Sequence, residues 1–167
     1  VNPGNLTPHP TAGIGQWSEG DFWRAMHQGV GPDGRVLNPA FPYTSFTRVS
    51  RADSDALFAY LGSLPAVAQA NRPHELAFPY NSQAALAVWR ALYFSPGAFN
   101  ADPKQGVDWN RGAYLVQGVG HCGECHTARN ALGATTGLAL AGARMPVGNW
   151  YAPSLRDAAA AGVSNAN

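Results

Sequence analysis

The sequence predicts a mostly α fold in which helices are joined by long, tightly turned loops. Three observations predict it. Apolar residues recur at three- and four-residue spacing behind Ser or Asp caps. The two-residue alternation of a half-buried strand is scarce. Nineteen glycines and 13 prolines punctuate the chain between the periodic segments.

Residues 1–17 are loop-like, rich in Pro, Gly, Thr and Asn. Ser18 caps the first helix, and Asp21 three residues on completes a capping-box pattern with Asp in place of Glu. Phe22, Met26 and Val30 share one face of that helix and belong to a core, so Met26 is expected inside; Gly29 and Gly31 end it. Residues 32–49 read as a loop, opened by the turn Pro32-Asp33-Gly34 and stiffened by Pro39-Ala40-Phe41-Pro42-Tyr43. Ser50 caps the second helix, with Leu57, Leu61 and Leu64 as its stripe and Pro65 as its stop. Residues 66–81 read as a linker. Ser82 caps a third helix on which Leu86, Trp89 and Tyr93 share a face, and Ser95-Pro96-Gly97 closes it. Asp108 is the expected N-cap of a further helix that runs into a glycine-rich turn at 118–120. Beyond residue 126 the chain is expected to be mostly loop.

Composition bounds the function. The 167 residues are 46% apolar, enough for a core, and only 13% charged, about half the usual ~25%. A net charge of +1 gives no electrostatic ground for nucleic acid or an anionic membrane surface. No apolar run is long enough to span a bilayer, and Val1-Asn2-Pro3-Gly4-Asn5 is not an export signal. Gly13-Ile14-Gly15 lacks the third glycine and the preceding strand of a dinucleotide fingerprint and reads as a turn. No Ser-His-Asp pattern, phosphate loop or paired-carboxylate motif stands out.

The chemistry lies in Cys122-Gly123-Glu124-Cys125-His126, which holds the only two cysteines of the chain. Cys-x-x-Cys-His is the attachment signature of a c-type haem: two thiols three residues apart reach the two vinyl groups of a porphyrin, and the next histidine ligates iron. Cys122, Cys125 and His126 are thus the candidate haem-binding residues, with His126 on the metal. Two other readings stand beside this one. A structural zinc site normally needs four protein ligands, and the motif offers three at most. A thioredoxin-like dithiol follows a strand, whereas residues 109–120 read as a helix. Haem attachment of this kind takes place outside the cytoplasmic membrane, which predicts a periplasmic protein whose export signal lies outside this sequence or has been removed.

The two ends of the chain look alike. Pro3-Gly4-Asn5-Leu6-Thr7 followed by Ala12-Gly13-Ile14 parallels Ala152-Pro153-Ser154-Leu155 followed by Ala161-Gly162-Val163. Only the second copy has a Cys-x-x-Cys-His upstream, which suggests tandem modules read through an offset window.

Several longer segments carry a family resemblance: Asn5-Leu6-Thr7-Pro8 with Gly13-Ile14-Gly15-Gln16-Trp17-Ser18, Pro39 to Phe46, Leu57-Phe58-Ala59-Tyr60-Leu61, Trp109 to Leu115, His121 to Thr127, Arg129 to Gly133, and Trp150-Tyr151-Ala152-Pro153. On these the chain resembles the multihaem cytochrome c subunits of membrane-bound bacterial dehydrogenases, those for alcohols, aldehydes and gluconate and those that partner molybdenum hydroxylases. The resemblance implies a cytochrome c-like fold in tandem modules. Residues 1–70 then resemble the rear half of one module without its haem motif, 71–107 a linker with one helix, and 108–167 the front half of a haem-binding module. It further implies that the chain is a fragment of a longer subunit.

The resemblance implies covalent haem c with its iron, and single-electron transfer from a periplasmic dehydrogenase to quinone or another cytochrome, with no bond-making catalysis. The expected partners are a dehydrogenase catalytic subunit and the electron acceptor. Membrane association comes only through missing segments or partner subunits, at the outer face of the cytoplasmic membrane. The iron's sixth ligand is open. Met145-Pro146 is one candidate, although the family pattern expects no ligand there. Phe41 and Val49 stand where relatives often place a methionine and cannot ligate iron. His9, His27, His74 and His121 read as surface or loop histidines. Glu124 is expected to face solvent, while Arg129 and Asn130 are expected to bond a haem propionate or the adjacent loop. Trp17, Trp23, Trp109, Trp150 and Tyr151 are expected in the core or as walls of a haem pocket. An open distal position would instead make the chain a small-ligand binding or sensing module, and failed maturation would leave a haem-free remnant.

Overall fold

The computed structural model describes residues 2–145 and 148–156. The chain divides into two compact units, 1–101 and 102–167, and each is described by itself.

In the first unit, α1 (Glu19–Gln28) starts where the sequence places it. The Ser18 side chain accepts a hydrogen bond from the Asp21 amide, and the Asp21 carboxylate accepts one from the Ser18 amide at 3.0 Å. That pair of bonds satisfies two donors that no helical carbonyl can reach. Gly29 ends the helix in the left-handed conformation, φ 66°, with its amide on the Ala25 carbonyl. Glycine is required here twice over, because a Cβ would also fall 2.6 Å from the Tyr43 ring. Phe22, Ala25 and Met26 are buried, but Val30 is only half-buried. It lies beyond the helix and pairs with Val36 across the Pro32-Asp33-Gly34 turn.

The stretch 32–49, expected as loop throughout, contains one helical turn, α2 (Tyr43–Phe46). Pro42 presets the backbone for it, and the amides of Ser45 and Phe46 both bond the Pro42 carbonyl at 2.9 Å. The turn drives Tyr43 and Val49 into the interior, 0% and 1% exposed.

α3 (Arg51–Gly62) begins at Ser50, whose side chain accepts from the Asp53 amide. Its inward face differs from the predicted stripe. Ser54, Phe58 and Leu61 turn inward while Leu57 stays exposed. Both stripes fit a helical period and share Leu61. The aromatic ring wins because Phe58 meets Phe22 at 5.3 Å between centroids, across a closely packed α1 and α3. The core is Ile14, Phe22, Met26 and Val49, walled by Trp17, Phe41, Phe46, Phe58 and Leu61. Met26 takes the place its stripe predicts.

Residues 66–81 form no helix or strand, yet they are held. Asn71 accepts from the Asn5 amide at 2.6 Å and donates to the Ala12 carbonyl at 3.1 Å. The Asn5 side chain in turn donates to the Val67 carbonyl at 2.8 Å. α4 (Gln83–Tyr93) starts at Ser82 as predicted and buries Leu86. Tyr93, expected on the same inner face, is exposed and lies against Trp89 with ring centroids 5.5 Å apart.

In the second unit, α5 (Val107–Tyr114) is capped by Gly106, so Asp108 stands inside the helix rather than at its cap. The residue that shapes this start is Asn110. Its side chain accepts from the Asp102 amide at 2.8 Å and donates to the Asp102, Gln105 and Gly106 carbonyls at 3.0, 3.2 and 3.1 Å. α5 passes into a π-helical turn, Leu115–Val119, and then α6 (Gly123–His126). The tail expected to be mostly loop includes a minimal antiparallel ladder. β1 (Ala143–Arg144) and β2 (Tyr151–Ala152) pair Ala143 with Ala152 and Arg144 with Tyr151.

The buried apolar residues of this unit are Tyr114, Ala134, Ala143 and Ala152 among the described residues, while Val107, Trp109, Leu132, Leu138, Trp150 and Tyr151 are exposed. Trp109, Trp150 and Tyr151 therefore belong to no protein core, which leaves the wall of a haem pocket as the other place expected for them. Trp17 does pack on the core of the first unit. Trp23 instead stacks on His27 at 4.4 Å and lies under the Arg51 guanidinium. No helix among the described residues is long and apolar enough to cross a membrane.

Candidate haem-binding site

The π-helical turn delivers the motif. A wider helical turn carries one residue more than an α turn, and such bulges often sit at functional positions. Here the Cys122 amide reaches back to the Val116 carbonyl at 3.1 Å. Gly120 is pressed against the turn, since a Cβ would lie 2.9 Å from the Leu115 carbonyl oxygen and 3.4 Å from Cys122 Sγ. His121 follows with φ 39°, a left-handed conformation uncommon outside glycine.

Cys122 is the cap of α6, and its carbonyl accepts from the Cys125 and His126 amides at 3.3 and 3.0 Å. The two thiols and the imidazole are therefore spaced by a single helical turn. Cys122 is half-buried, Cys125 is exposed, and neither is in a disulfide. No three or more His, Cys, Asp or Glu side chains gather as a metal-ion site among the described residues. Nor does a strand lead into the motif, since among the described residues the strands of this unit follow it. These facts count against the metal clip and the thioredoxin-like dithiol.

His126 is fixed from both sides. Its carbonyl accepts from the Gly142 amide at 2.9 Å. Its ring Nδ1 lies 2.7 Å from the carbonyl oxygen of Pro153. A carbonyl only accepts, so Nδ1 carries the proton and Nε2 keeps its lone pair on the opposite edge of the ring. A histidine whose one nitrogen is held by a backbone carbonyl while the other is left to coordinate is the usual arrangement of a metal-ligating imidazole. Thr127, 6% exposed, accepts the Leu140 amide at 3.1 Å and anchors the chain on leaving the motif. The Leu140 carbonyl takes the Leu155 amide at 2.9 Å, which ties the segment carrying Pro153 to the same loop.

These features fit a haem. Thiols and a tautomer-fixed imidazole stand together, and the unit leaves its large apolar side chains exposed while burying mainly alanines. A flat apolar macrocycle would supply the missing interior.

Sequence reasoning placed the three motif residues but missed Pro153, whose role here is a backbone carbonyl, and Thr127, whose neighbours are distant in sequence. It also misplaced Glu124. The Glu124 side chain is 16% exposed and ion-paired with Arg129. Of the two roles open for Arg129 and Asn130, the structure shows the loop. The Asn130 carboxamide oxygen accepts the Leu132 and Ala134 amides at 2.9 and 3.1 Å.

Among the other candidates, the Met145 amide donates to the Trp150 carbonyl at 2.8 Å, while Pro146 lies outside the described residues, as does the repeat segment Ala161-Gly162-Val163. His9 and His74 are loop residues that accept backbone amides, from Ala12 at 3.0 Å and Asn2 at 3.2 Å. His27 departs from expectation: it is half-buried on α1, and burial holds its pKa below the ordinary histidine value, with a backbone hydrogen bond to Thr47 acting the other way.

No family model matches the chain. Individual proteins do. One of the subunits of the nicotinate dehydrogenase of Pseudomonas putida is 46% identical over 151 residues, 90% of this chain and 13% of that protein. The cytochrome c subunit of a quinone-type alcohol dehydrogenase from Gluconacetobacter polyoxogenes is 40% identical over 162 residues, 92% of this chain and 34% of that one. A dihaem c-type cytochrome of Cereibacter sphaeroides is 39% identical over 155 residues, 92% of this chain and 52% of its own length. The chain thus spans about half the length of these relatives or less. Over nine-tenths of its length, it is a homologue of the cytochrome c subunits of bacterial dehydrogenases.

Proposed function

We propose that this chain carries one covalent haem c and passes single electrons from a dehydrogenase catalytic subunit to quinone or another cytochrome. Cys122 and Cys125 form the two thioether links and His126 ligates iron. The observation that carries the reading is the Pro153 carbonyl on His126 Nδ1, which leaves Nε2 as the free ligand atom. A bound haem supplies a one-electron iron couple, whose potential depends on the axial ligands, burial and hydrogen bonding. The chain's own contribution is positional. The helical turn of α6 spaces the thiols, Pro153 orients the imidazole, and the exposed apolar side chains of the second unit keep water from the macrocycle. No residue of the site is assigned to bond-making chemistry.

The proposed organisation is tandem: 1–70 as the rear of one cytochrome c-like module, 71–107 as a linker with one helix, and 108–167 as the front of a haem-binding module. In the first unit a cavity of about 750 Å³ is lined by Pro3, Gly4, Trp17, Leu37, Leu76 and Leu86 among others. Gly4 stands in the repeat where Pro153 stands in the second copy. That supports a second macrocycle seated there when an upstream motif is present. The proposed compartment is the periplasm, at the outer face of the cytoplasmic membrane through partner subunits.

The test is a pyridine haemochrome assay on protein expressed with a c-type maturation system and extracted with acid acetone. A c-type band retained by the denatured chain, and lost from the Cys122→Ser/Cys125→Ser double variant, supports the reading. Absence of retained haem overturns it. Carbon monoxide binding to the reduced form would redirect the proposal from electron transfer to ligand sensing.

A further inference from the structure

We infer that Arg129 is a positioning residue for the Cys-x-x-Cys-His turn: its guanidinium caps that turn from outside and holds the thiols and imidazole in the spacing that haem attachment requires. This rests on the haem reading above. α6 is one turn long and stops at His126, because Thr127 is extended (φ −128°, ψ 134°). The last carbonyls of any helix lack an intrahelical donor. The Glu124 carbonyl, between the two cysteines and next to Cys125, is one of them, and Arg129 supplies the donor. Its Nε and Nη2 reach the Glu124 carbonyl at 3.3 and 3.0 Å, and Nη2 also pairs with the Glu124 carboxylate. The third arm, Nη1, reaches the Gly133 carbonyl at 2.5 Å.

Every arm is thereby used. The guanidinium is 23% exposed and the carboxylate 16%, so water competes weakly for either. The base of the clamp is itself fixed: Arg129 bridges Thr135, and the Thr136 amide bonds the Ala128 carbonyl at 2.9 Å. Because two bonds go to a backbone carbonyl and only one to a side chain, the clamp acts on the turn itself. Attachment adds each S–H across one vinyl double bond, with no net oxidation, so both sulfurs must meet a rigid edge at fixed separation. A preformed turn spares the chain that ordering step.

The predicted rank follows from the bond count. Glu124→Gln keeps the carbonyl contacts and should be mild. Arg129→Lys keeps the charge but loses the planar fork and should not rescue. Arg129→Gln should lose most of the clamp. In the haem-free protein, amide exchange at Cys125 and His126 should speed about tenfold in Arg129→Gln, equivalent to about 1.4 kcal/mol, with protection in α1 and α3 unchanged. With maturation, the same variant should accumulate chains holding haem by one thioether or none, read by intact mass. Wild-type haem yield in Arg129→Gln overturns the inference, and so does unchanged exchange at Cys125 and His126. If the wild-type protein takes no haem, it is the functional reading that fails, and the exchange result alone decides the clamp.

Discussion

The Pro153 carbonyl oxygen stands 2.7 Å from Nδ1 of His126, joining two residues 27 positions apart. The bond settles the imidazole tautomer without any charged partner. Nitrogen-15 correlation spectra of the haem-free protein should show the uncharged imidazole of His126 protonated at Nδ1, with the lone pair at Nε2. The opposite tautomer would mean that the imidazole edge meant for iron is blocked by a proton.

The capping box at α1 should carry measurable stability. Ser18→Ala removes the acceptor for the Asp21 amide and should cost about 1 kcal/mol in denaturant unfolding of the first unit. The Ser18 hydrogen bonds also hold the Asp21 carboxyl below its ordinary value, with Arg24 adding to them. A carboxylate whose folded pKa is depressed lends stability above its unfolded value of 3.8, lost as pH falls through the folded one. The Ser18→Ala variant should therefore lose less on acidification than the wild type.

Gly29 and Tyr43 make a paired prediction. Gly29→Ala places a methyl group into the Tyr43 ring at a left-handed position and should cost about 2 kcal/mol or more. Tyr43 itself is fully buried, and its hydroxyl has no hydrogen-bond partner among the described residues. Burial pushes its pKa up to about 12, against the pull of Arg90. Tyr43→Phe should thus be neutral or stabilise by about 1 kcal/mol, and a loss of stability would reveal a partner for the hydroxyl. In an ultraviolet titration the wild-type protein should show a late-ionising tyrosine that this variant lacks.

His27 sets a pH dependence of the opposite chemical kind. Burial depresses its pKa below 6.5, so the unfolded chain takes up the proton more readily than the folded one. Stability present above pH 6.5 should fall as pH drops through the folded pKa. Urea midpoints at neutral and mildly acidic pH should converge in His27→Gln, whose side chain does not titrate there. An undiminished drop would place the effect on other groups.

Local signals were the legible part of the sequence. Ser18, Ser50 and Ser82 cap the helices they were expected to cap, because a cap is a contact among residues three apart. The Cys-x-x-Cys-His turn was legible for the same reason. Helical phase was less so: the Leu57 and Phe58 stripes fit the same period, and only the facing Phe22 ring decides between them. What could not be read were contacts whose partners lie far apart or are backbone atoms, such as Asn5 with Asn71 or His126 with the Pro153 carbonyl. Glu124 shows the cost of judging a residue by its charge. Arg129 lies only five positions further on, yet the pairing depends on how the chain turns back after Thr127.

The segment 66–81 has one more consequence. It is stitched to the first residues of the chain by carboxamides and carbonyls, with Asn71 and Asn5 as the two clasps, rather than sealed by apolar burial. A seam of this kind carries little heat-capacity change and answers to competitors for amide groups, so urea should loosen it before temperature does. It also makes the amino-terminal loop and the distant strap a single ordered layer, in which a cut on either side unfastens both.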